Sequence, residues 1–127
     1  MSSHILVVED NALVTGALRV LFEATGHRFT EAGTVAEAVR ICTDDPPDVM
    51  FLDLRLPDGD GLEVLDRLRM GGVPVPLTAV LTGRDDQTLV EQCLAMGCRE
   101  VLLKPVAPRV LLAKINEWTK RQVPNRG

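Results

Sequence analysis

Acidic, hydroxyl and amino side chains stand directly after four short apolar runs of this sequence. Asp53 closes the run VMFLD, and the acid pair Glu9-Asp10 follows HILVV. Thr82 and Lys104 end two later apolar runs. Carboxylates can coordinate a small cation, while an ammonium and a hydroxyl group can hold an anion. If the chain brings these run ends together, the site combines a cation with a phosphate group.

A carboxylate flanked by a divalent cation, an ammonium and a hydroxyl group is equipped to attack phosphorus. Carboxylates on neighbouring strands, about 4.8 Å apart, repel one another unless a cation neutralises them, and an all-oxygen ligand set favours Mg²⁺. Lys104 and the cation would offset charge on the transferring oxygens, so that Asp53 becomes an acyl phosphate. His4 and His27 lie far from the run ends and are expected to be structural or solvated.

The apolar runs are predicted to be buried strands of a parallel sheet. They are continuously apolar and alternate with helical patterns, which is typical of a sheet covered by helices on both faces. If the strand order is 2-1-3-4-5, the first and third strands are neighbours at the crevice where open parallel sheets bind ligands. The predicted strands are His4–Val8, about Arg28–Ala32, Val49–Asp53, Pro76–Leu81 and Glu100–Leu103.

Capping residues and helical spacing predict five helices. Asn11 is the expected N-cap of the first, Thr34 and Glu37 form a capping box for the second, and Asp85 or Asp86 caps the fourth. The apolar stripes predicted for the five helices are Leu13/Ala17/Leu21/Phe22, Ala38/Val39/Ile41/Cys42, Leu62/Leu65/Leu68, Leu89/Cys93/Leu94/Met96 and Leu111/Ile115/Trp118.

Length, charge and hydropathy exclude several classes of protein. The 127 residues, 46% hydrophobic and 25% charged, are typical of one globular domain, which we expect over residues 1–122, with a tail or the start of a linker at 123–127. A net charge of −4 argues against nucleic-acid binding. No apolar run reaches the length of a membrane span, so we expect a cytosolic protein without membrane association.

Three cysteines without paired metal-ligand spacing are expected to be reduced and mostly buried: Cys42, Cys93 and Cys98.

Taken in order, the motifs resemble those of the receiver domains of two-component response regulators. They are the pair Glu9-Asp10, the segment DLRLPDGDG headed by Asp53, Thr82 after an apolar strand, and Lys104-Pro105 preceded by AMGCREVLL. The resemblance extends from Ile5 to about Arg121. It implies an α/β fold of the flavodoxin-like kind, with a five-stranded parallel sheet of order 2-1-3-4-5, doubly wound with five helices.

The resemblance also implies a phosphoacceptor site. Asp53 would accept a phosphoryl group from a sensor histidine kinase or a phosphotransfer protein. Mg²⁺ would be held by the carboxylates of Glu9, Asp10 and Asp53 and by the backbone carbonyl of Arg55. Such a domain modifies only itself, by phosphotransfer and autodephosphorylation, and is a switch instead of an enzyme with a separate substrate.

Two further features follow from the resemblance. Thr82 and Lys104 would hold the phosphoryl oxygens, and the Lys104-Pro105 peptide bond would be cis. Phosphorylation would change the interactions of the domain with a downstream protein or with a fused output domain.

The sequence departs from the family at positions around the site. Val101 stands where the family commonly has Tyr or Phe, and Val106 where Phe is common. We therefore expect switching through Thr82 and the loop after it, or through a different output surface. Arg55 and Arg84 flank the path of the hydrolytic water in this family. They are either solvated loop arginines or bulky groups that slow self-dephosphorylation.

Other functions remain open on sequence grounds. A receiver that no longer cycles could serve as a constitutive protein-interaction module, although the complete set of site residues argues against this. An aspartyl phosphohydrolase usually has a second acid two residues after the nucleophile, where this chain has Arg55. A dinucleotide or flavin carrier is disfavoured because no glycine-rich phosphate loop follows the first strand.

Overall fold

The computed structural model describes residues 2–119 and contains a parallel sheet with helices on both faces. The chain alternates between strands and helices, as the apolar patterning predicts. The strands are β1 (His4–Val8), β2 (Arg28–Ala32), β3 (Val49–Asp53), β4 (Arg55–Leu56), β5 (Gly59–Asp60), β6 (Leu77–Thr82) and β7 (Glu100–Leu103). The helices are α1 (Ala12–Ala24), α2 (Val35–Asp44), α3 (Leu62–Met70), α4 (Gln87–Ala95) and α5 (Pro108–Thr119).

The sheet has the order β2-β1-β3-β6-β7 with every neighbouring pair parallel. This is the predicted order 2-1-3-4-5, because β4 and β5 form a separate antiparallel pair. Four of the predicted parallel strands have the predicted bounds. β6 is shifted by one residue at both ends: it begins after Pro76, which has no N–H for the ladder, and it ends at Thr82 instead of Leu81.

Each face of the sheet buries its own apolar cluster. Successive strand residues point to opposite faces, so Ile5 and Val7 pack with α1 and α5, whereas Leu6 and Val8 pack with α2, α3 and α4. Every residue of β1 and β3 is buried. The two central strands therefore deliver the residues that follow them to fixed positions.

The predicted apolar stripe of α1 is wrong in its first half. Leu13 is 85% exposed and Ala17 is exposed, while the residues that face the sheet are Thr15, Leu18 and Phe22. The helix is apolar on most of its circumference, so spacing alone does not determine which face is buried. Thr15 tolerates burial because its hydroxyl donates to the carbonyl of its own helix three residues earlier, at 3.3 Å.

The stripes of the other helices are mostly as predicted. The predicted residues of α3 and α5 are all buried. On α2, Ala38 and Cys42 are buried, with Val39 and Ile41 half-buried at the margin. On α4 the prediction is wrong for Leu94, which is 46% exposed.

The helix caps follow the sequence closely. The Asn11 side chain accepts hydrogen bonds from the first turn of α1, and Asp86, the second of the two candidate aspartates, caps α4. Thr34 accepts the N–H of Glu37 at 3.0 Å. The Glu37 carboxylate, however, accepts the N–H of Gly33 at 2.8 Å, so the reciprocal half of the predicted box is displaced by one residue.

Remaining sequence expectations concern the cysteines, membrane spans and the tail. Cys42, Cys93 and Cys98 are buried free thiols, as predicted, and burial raises the pKa of Cys42 and of Cys98 to about 11. None of the helices within residues 2–119 combines the length and hydropathy of a membrane span. The predicted tail at 123–127 and the domain boundary at 122 lie outside the described residues.

Candidate functional site

The carboxyl ends of the central strands bring together the five side chains singled out from the sequence. Glu9 and Asp10 follow β1, Asp53 ends β3, Thr82 ends β6, and Lys104 follows β7. Register enforces the meeting, since Val8 pairs with Leu52 and Thr82 with Leu103. All five side chains line one open cleft of about 860 Å³.

The ammonium group of Lys104 reaches across β6 to the two most buried acids. Its Nζ lies 3.2 Å from Asp53 Oδ1 and 3.6 Å from Glu9 Oε1. The side chains of both acids are 8% exposed, whereas that of Lys104 is 37% exposed. Its flexible stem therefore closes the two-strand gap, as the sequence predicts, while the amino group stays accessible from the cleft.

Three carboxylates converge beside this lysine. Glu9, Asp10 and Asp53 each present an oxygen within 4.8 Å of the others. Burial raises the pKa of the Glu9 carboxyl, and the neighbouring Asp53 raises it further; Lys104 and a hydrogen bond from the N–H of Asn11 offset this only in part. The cluster has an excess of negative charge and only oxygen donors, which fits a hard divalent cation such as Mg²⁺.

The turn after Asp53 has structure that the sequence did not predict. Strands β4 and β5 pair antiparallel, with Arg55 opposite Asp60. The N–H of Arg55 donates to Asp53 Oδ1 at 3.3 Å, and the N–H of Gly61 donates to the carbonyl of Leu54 at 2.9 Å. A Cβ at position 61 would overlap the Asp53 carbonyl oxygen, so only glycine fits there. The segment PDGDG indicated a turn, but not this hairpin.

Asp58 is a residue whose role sequence reasoning missed. Its carboxylate accepts the N–H of Val35 at 2.8 Å and the N–H of Ala36 at 3.1 Å, and so caps the first turn of α2 from a distant loop. The hydrogen bond from Val35 is the main reason why the pKa of Asp58 is lowered. An aspartate between proline and glycine reads as a local turn residue, and no local pattern signals a cap 23 residues away.

Thr82 and its flanking loop complete the cleft. Thr82 is buried, and its hydroxyl oxygen accepts the N–H of Arg84 at 3.1 Å. The Arg84 guanidinium lies 3.0 Å from Asp86 and is 62% exposed, and Arg55 is also exposed. Val101 is half-buried against the apolar cluster beneath α4. As the resemblance implied, the peptide bond between Lys104 and proline is cis.

A largely apolar groove of about 630 Å³ adjoins the cleft. It shares Glu9, Asn11 and Lys104 with the cleft and is bordered by the exposed side chains of Leu13 and Val14 on α1. A molecule that reaches Asp53 from this side would therefore contact apolar surface and the site together.

With this geometry in place, comparison with known proteins identifies the family. A family model described as the response regulator receiver domain matches residues 5–116. The chain belongs to this family. A receiver domain is a regulatory phosphoacceptor in two-component signalling, so a constitutive interaction module is not favoured. Such a domain is a regulatory switch and not an enzyme of the usual kind.

Named relatives and solved structures agree with this assignment. The receiver is 35% identical over 117 residues to the transcriptional regulatory protein KdpE of Mycobacterium tuberculosis, covering 92% of this chain and 51% of the relative. It is 33% identical over 118 residues to the transcriptional regulatory protein PhoP of Escherichia coli K12, covering 93% and 52%. The chain thus spans about half the length of these relatives.

Solved receiver structures superpose over most of the chain. A CheY-like response regulator receiver domain protein from Methanospirillum hungatei is 27% identical, with a TM-score of 0.83 and coverage of 96% and 97%. The receiver domain of Francisella response regulator 1452 is 25% identical, with a TM-score of 0.85 and coverage of 94% and 98%. The fold predicted from the sequence is therefore confirmed.

Proposed function

We propose that Asp53 is the phosphoacceptor of this receiver and that Lys104 and Thr82 hold the phosphoryl oxygens. The observation that carries the proposal is the 3.2 Å contact between Lys104 Nζ and Asp53 Oδ1 in the cleft that both side chains line. An ammonium group placed there is positioned to stabilise negative charge that develops on a phosphoryl group as it reaches the carboxylate.

In the proposed step a carboxylate oxygen of Asp53 forms a bond to phosphorus while the bond from phosphorus to the donor atom breaks. The electron pair leaves with the donor. The N–H of Arg55 orients the carboxylate through its hydrogen bond to Oδ1. Because the Thr82 hydroxyl oxygen already accepts the N–H of Arg84, its own proton is left to donate to a phosphoryl oxygen.

The proposed Mg²⁺ ligands are the carboxylates of Glu9, Asp10 and Asp53 and the backbone carbonyl of Arg55. The oxygen donors of the cluster and the raised pKa of Glu9 support this assignment. Bound there, Mg²⁺ would neutralise the carboxylates and withdraw charge from the phosphoryl oxygens. The chain itself supplies the attacking oxygen, its orientation and the ammonium group.

The proposed phosphodonor is a sensor histidine kinase or a phosphotransfer protein that covers the apolar groove while it delivers the phosphoryl group to Asp53. The continuity of groove and cleft through Glu9 and Lys104 supports this. Phosphorylation would then change contacts with a downstream protein or with an output domain fused after a receiver unit over residues 1–122. A cytosolic location belongs to the same proposal.

Switching and decay are further parts of the proposal. With valine at position 101, we infer that the switch is transmitted by Thr82 and the loop that follows it. We also infer that the guanidinium groups of Arg55 and Arg84 slow self-dephosphorylation by crowding the phosphoryl group. Both side chains are exposed and line the cleft, Arg55 from β4 and Arg84 from the loop after β6.

Intact-mass measurement tests the central proposal. The protein is incubated with Mg²⁺ and a small phosphodonor. Wild type should gain one phosphoryl group, and Asp53→Asn should gain none, because an amide oxygen is a poor nucleophile. Asp66→Asn, an exposed control on α3, should be modified like wild type. An unmodified wild type would favour the constitutive interaction module, and a modified Asp53→Asn would place the acceptor elsewhere.

A further inference from the structure

We propose that Asp58 is a positioning residue that sets the affinity of the acidic cluster for Mg²⁺ by holding the β4–β5 turn against the start of α2. The inference rests on the metal site proposed above. It assigns to Asp58 a role beyond capping, although its side chain does not belong to the acidic cluster.

Asp58 lies at the tip of the hairpin, between Leu56 of β4 and Gly59 of β5. The base of the hairpin is closed by the hydrogen bond from Gly61 to Leu54 and by close packing on the Asp53 carbonyl. Two oxygens of Asp58 bond two successive N–H groups of α2, at 2.8 and 3.1 Å. Because the hairpin is fixed at its base and at its tip, the backbone carbonyl of Arg55, which lies between the two, is held in one position.

The start of α2 is itself fixed to the other side of the acidic cluster. Val35 is fully buried, and three residues earlier the carbonyl of Ala32 accepts the backbone N–H of Glu9 at 2.9 Å. Asp58 therefore connects the turn that follows Asp53 with the segment that holds Glu9. The distance between two of the proposed ligands, Glu9 after β1 and the carbonyl of Arg55 after β3, therefore depends on this connection as well as on the sheet.

Asp60, the other aspartate of the hairpin, serves as a contrast. Its carboxylate accepts the N–H of Leu62 at 2.9 Å, the first residue of α3, which is the helix that follows the hairpin directly. Asp58 instead spans to another helix, and its loss would free the tip of the hairpin. The alternative is that Asp58 stabilises α2 and does nothing for the metal site.

Thr34→Ala separates these two possibilities. Thr34 caps the same helix through the N–H of Glu37, but it makes no hydrogen bond to the hairpin. Both Asp58→Ala and Thr34→Ala should weaken the N-terminus of α2, and only Asp58→Ala should release the turn. Stability measured by urea unfolding shows whether the two variants are matched.

Isothermal titration calorimetry with MgCl₂ at high salt is the decisive measurement, because salt screens the long-range effect of removing a charge. We expect Asp58→Ala to raise the Mg²⁺ dissociation constant about tenfold, at the lower end of what loss of ligand-supporting hydrogen bonds produces. Asp58→Asn keeps one acceptor oxygen and should show a smaller rise. Thr34→Ala should bind as wild type does.

A second readout is phosphorylation by a small phosphodonor as a function of Mg²⁺ concentration. The concentration for half-maximal rate should rise in Asp58→Ala, whereas the rate at saturating Mg²⁺ should be unchanged. Equal dissociation constants in Asp58→Ala and wild type would overturn the inference, as would an equal loss in Thr34→Ala. If wild type binds no Mg²⁺, the metal site itself is wrong, which is a distinct result.

Discussion

The polar groups at the amino end of the sheet, where the strands begin, differ from those at its carboxyl end. At the amino end His4 Nε2 lies 2.8 Å from the Thr30 hydroxyl, and Arg28 holds Asp45 at 2.8 and 2.9 Å. The backbone N–H of His4 donates to Asp48 at 2.7 Å. At the carboxyl end three carboxylates lie together, and among the ion pairs of residues 2–119 the ammonium of Lys104 pairs with two of them, Glu9 and Asp53.

Whether each acid has its own hydrogen-bond donor therefore separates a structural cluster from a functional one. At the amino end donors and acceptors match, so the cluster contributes to folding and needs no ligand. At the carboxyl end the acids repel one another, and a cation can relieve that repulsion. Titratable residues lie at both ends of the sheet. The set at the carboxyl end, with its excess of acids, is the one poised to bind a cation.

The largest expected effect is that of Lys104→Met, which removes the ammonium group from the carboxyl end. The rate of phosphoryl gain should fall about 100-fold, as for loss of one group that stabilises transition-state charge. Mg²⁺ affinity should rise, because the carboxylates lose the cation that competes for them. Intact mass over time gives the rate, and calorimetry gives the affinity.

Asp66→Asn serves again as the surface control for both measurements. A parallel fall in rate and in Mg²⁺ affinity would contradict the charge argument, since it would mean that Lys104 supports the metal site by structure alone.

A smaller effect is expected from His4→Leu at the amino end. The Thr30 hydroxyl would lose its buried partner, which should lower the free energy of unfolding by about 2 kcal/mol. Phosphoryl gain should proceed at the wild-type rate. Urea unfolding and the mass assay measure the two quantities.

A double variant tests the assignment of that energy. If the bond between His4 and Thr30 accounts for the loss, adding Thr30→Val to His4→Leu should cost less than Thr30→Val alone. Additive costs, or a slowed phosphorylation, would break the contrast between the two ends.

The smallest effect is a pH dependence of opposite sign at the two ends. Burial raises the folded-state pKa of Glu9, so without Mg²⁺ the folded protein binds a proton at this carboxyl group more readily than the unfolded protein does. The free energy of unfolding therefore falls as pH rises from the ordinary pKa to the raised one. The pKa of Asp45 is lowered by its hydrogen bond with Arg28. Its contribution is present above the unfolded-state pKa and is lost as pH falls through the folded-state pKa.

Urea unfolding at a series of pH values measures both slopes. Glu9→Gln should remove the decline at higher pH, as should saturating Mg²⁺, and Asp45→Asn should remove the loss at lower pH. The contrast would be broken if Glu9→Gln left the pH profile of wild type unchanged.

The sheet and the five-residue cluster could be predicted from the sequence because both depend on strong local signals. Continuous apolar runs such as HILVV define strands, and parallel strands carry whatever follows them to one end. The carboxylates, Thr82 and Lys104 are therefore brought together by topology, without any need to know side-chain contacts. The family resemblance supplied the strand order and the cis bond.

Features that depend on distant contacts could not be predicted in this way. The predicted buried face of α1 is wrong in its first half because a helix that is apolar on most sides has no unique periodicity. The rings of Phe29 and Phe51 contact Phe22, and this packing determines which side of α1 faces the sheet. The β4–β5 pair is too short for an alternating pattern. The bond from Asp58 to Val35 joins segments that no sequence rule relates.

Glycine at position 61 has a consequence for how this protein can vary. Any side chain there would displace the main chain of Asp53, the residue on which signalling is proposed to depend. The obstructing atom is the backbone carbonyl oxygen, which any residue at position 53 would carry, so glycine is required at position 61 whichever side chain stands at position 53.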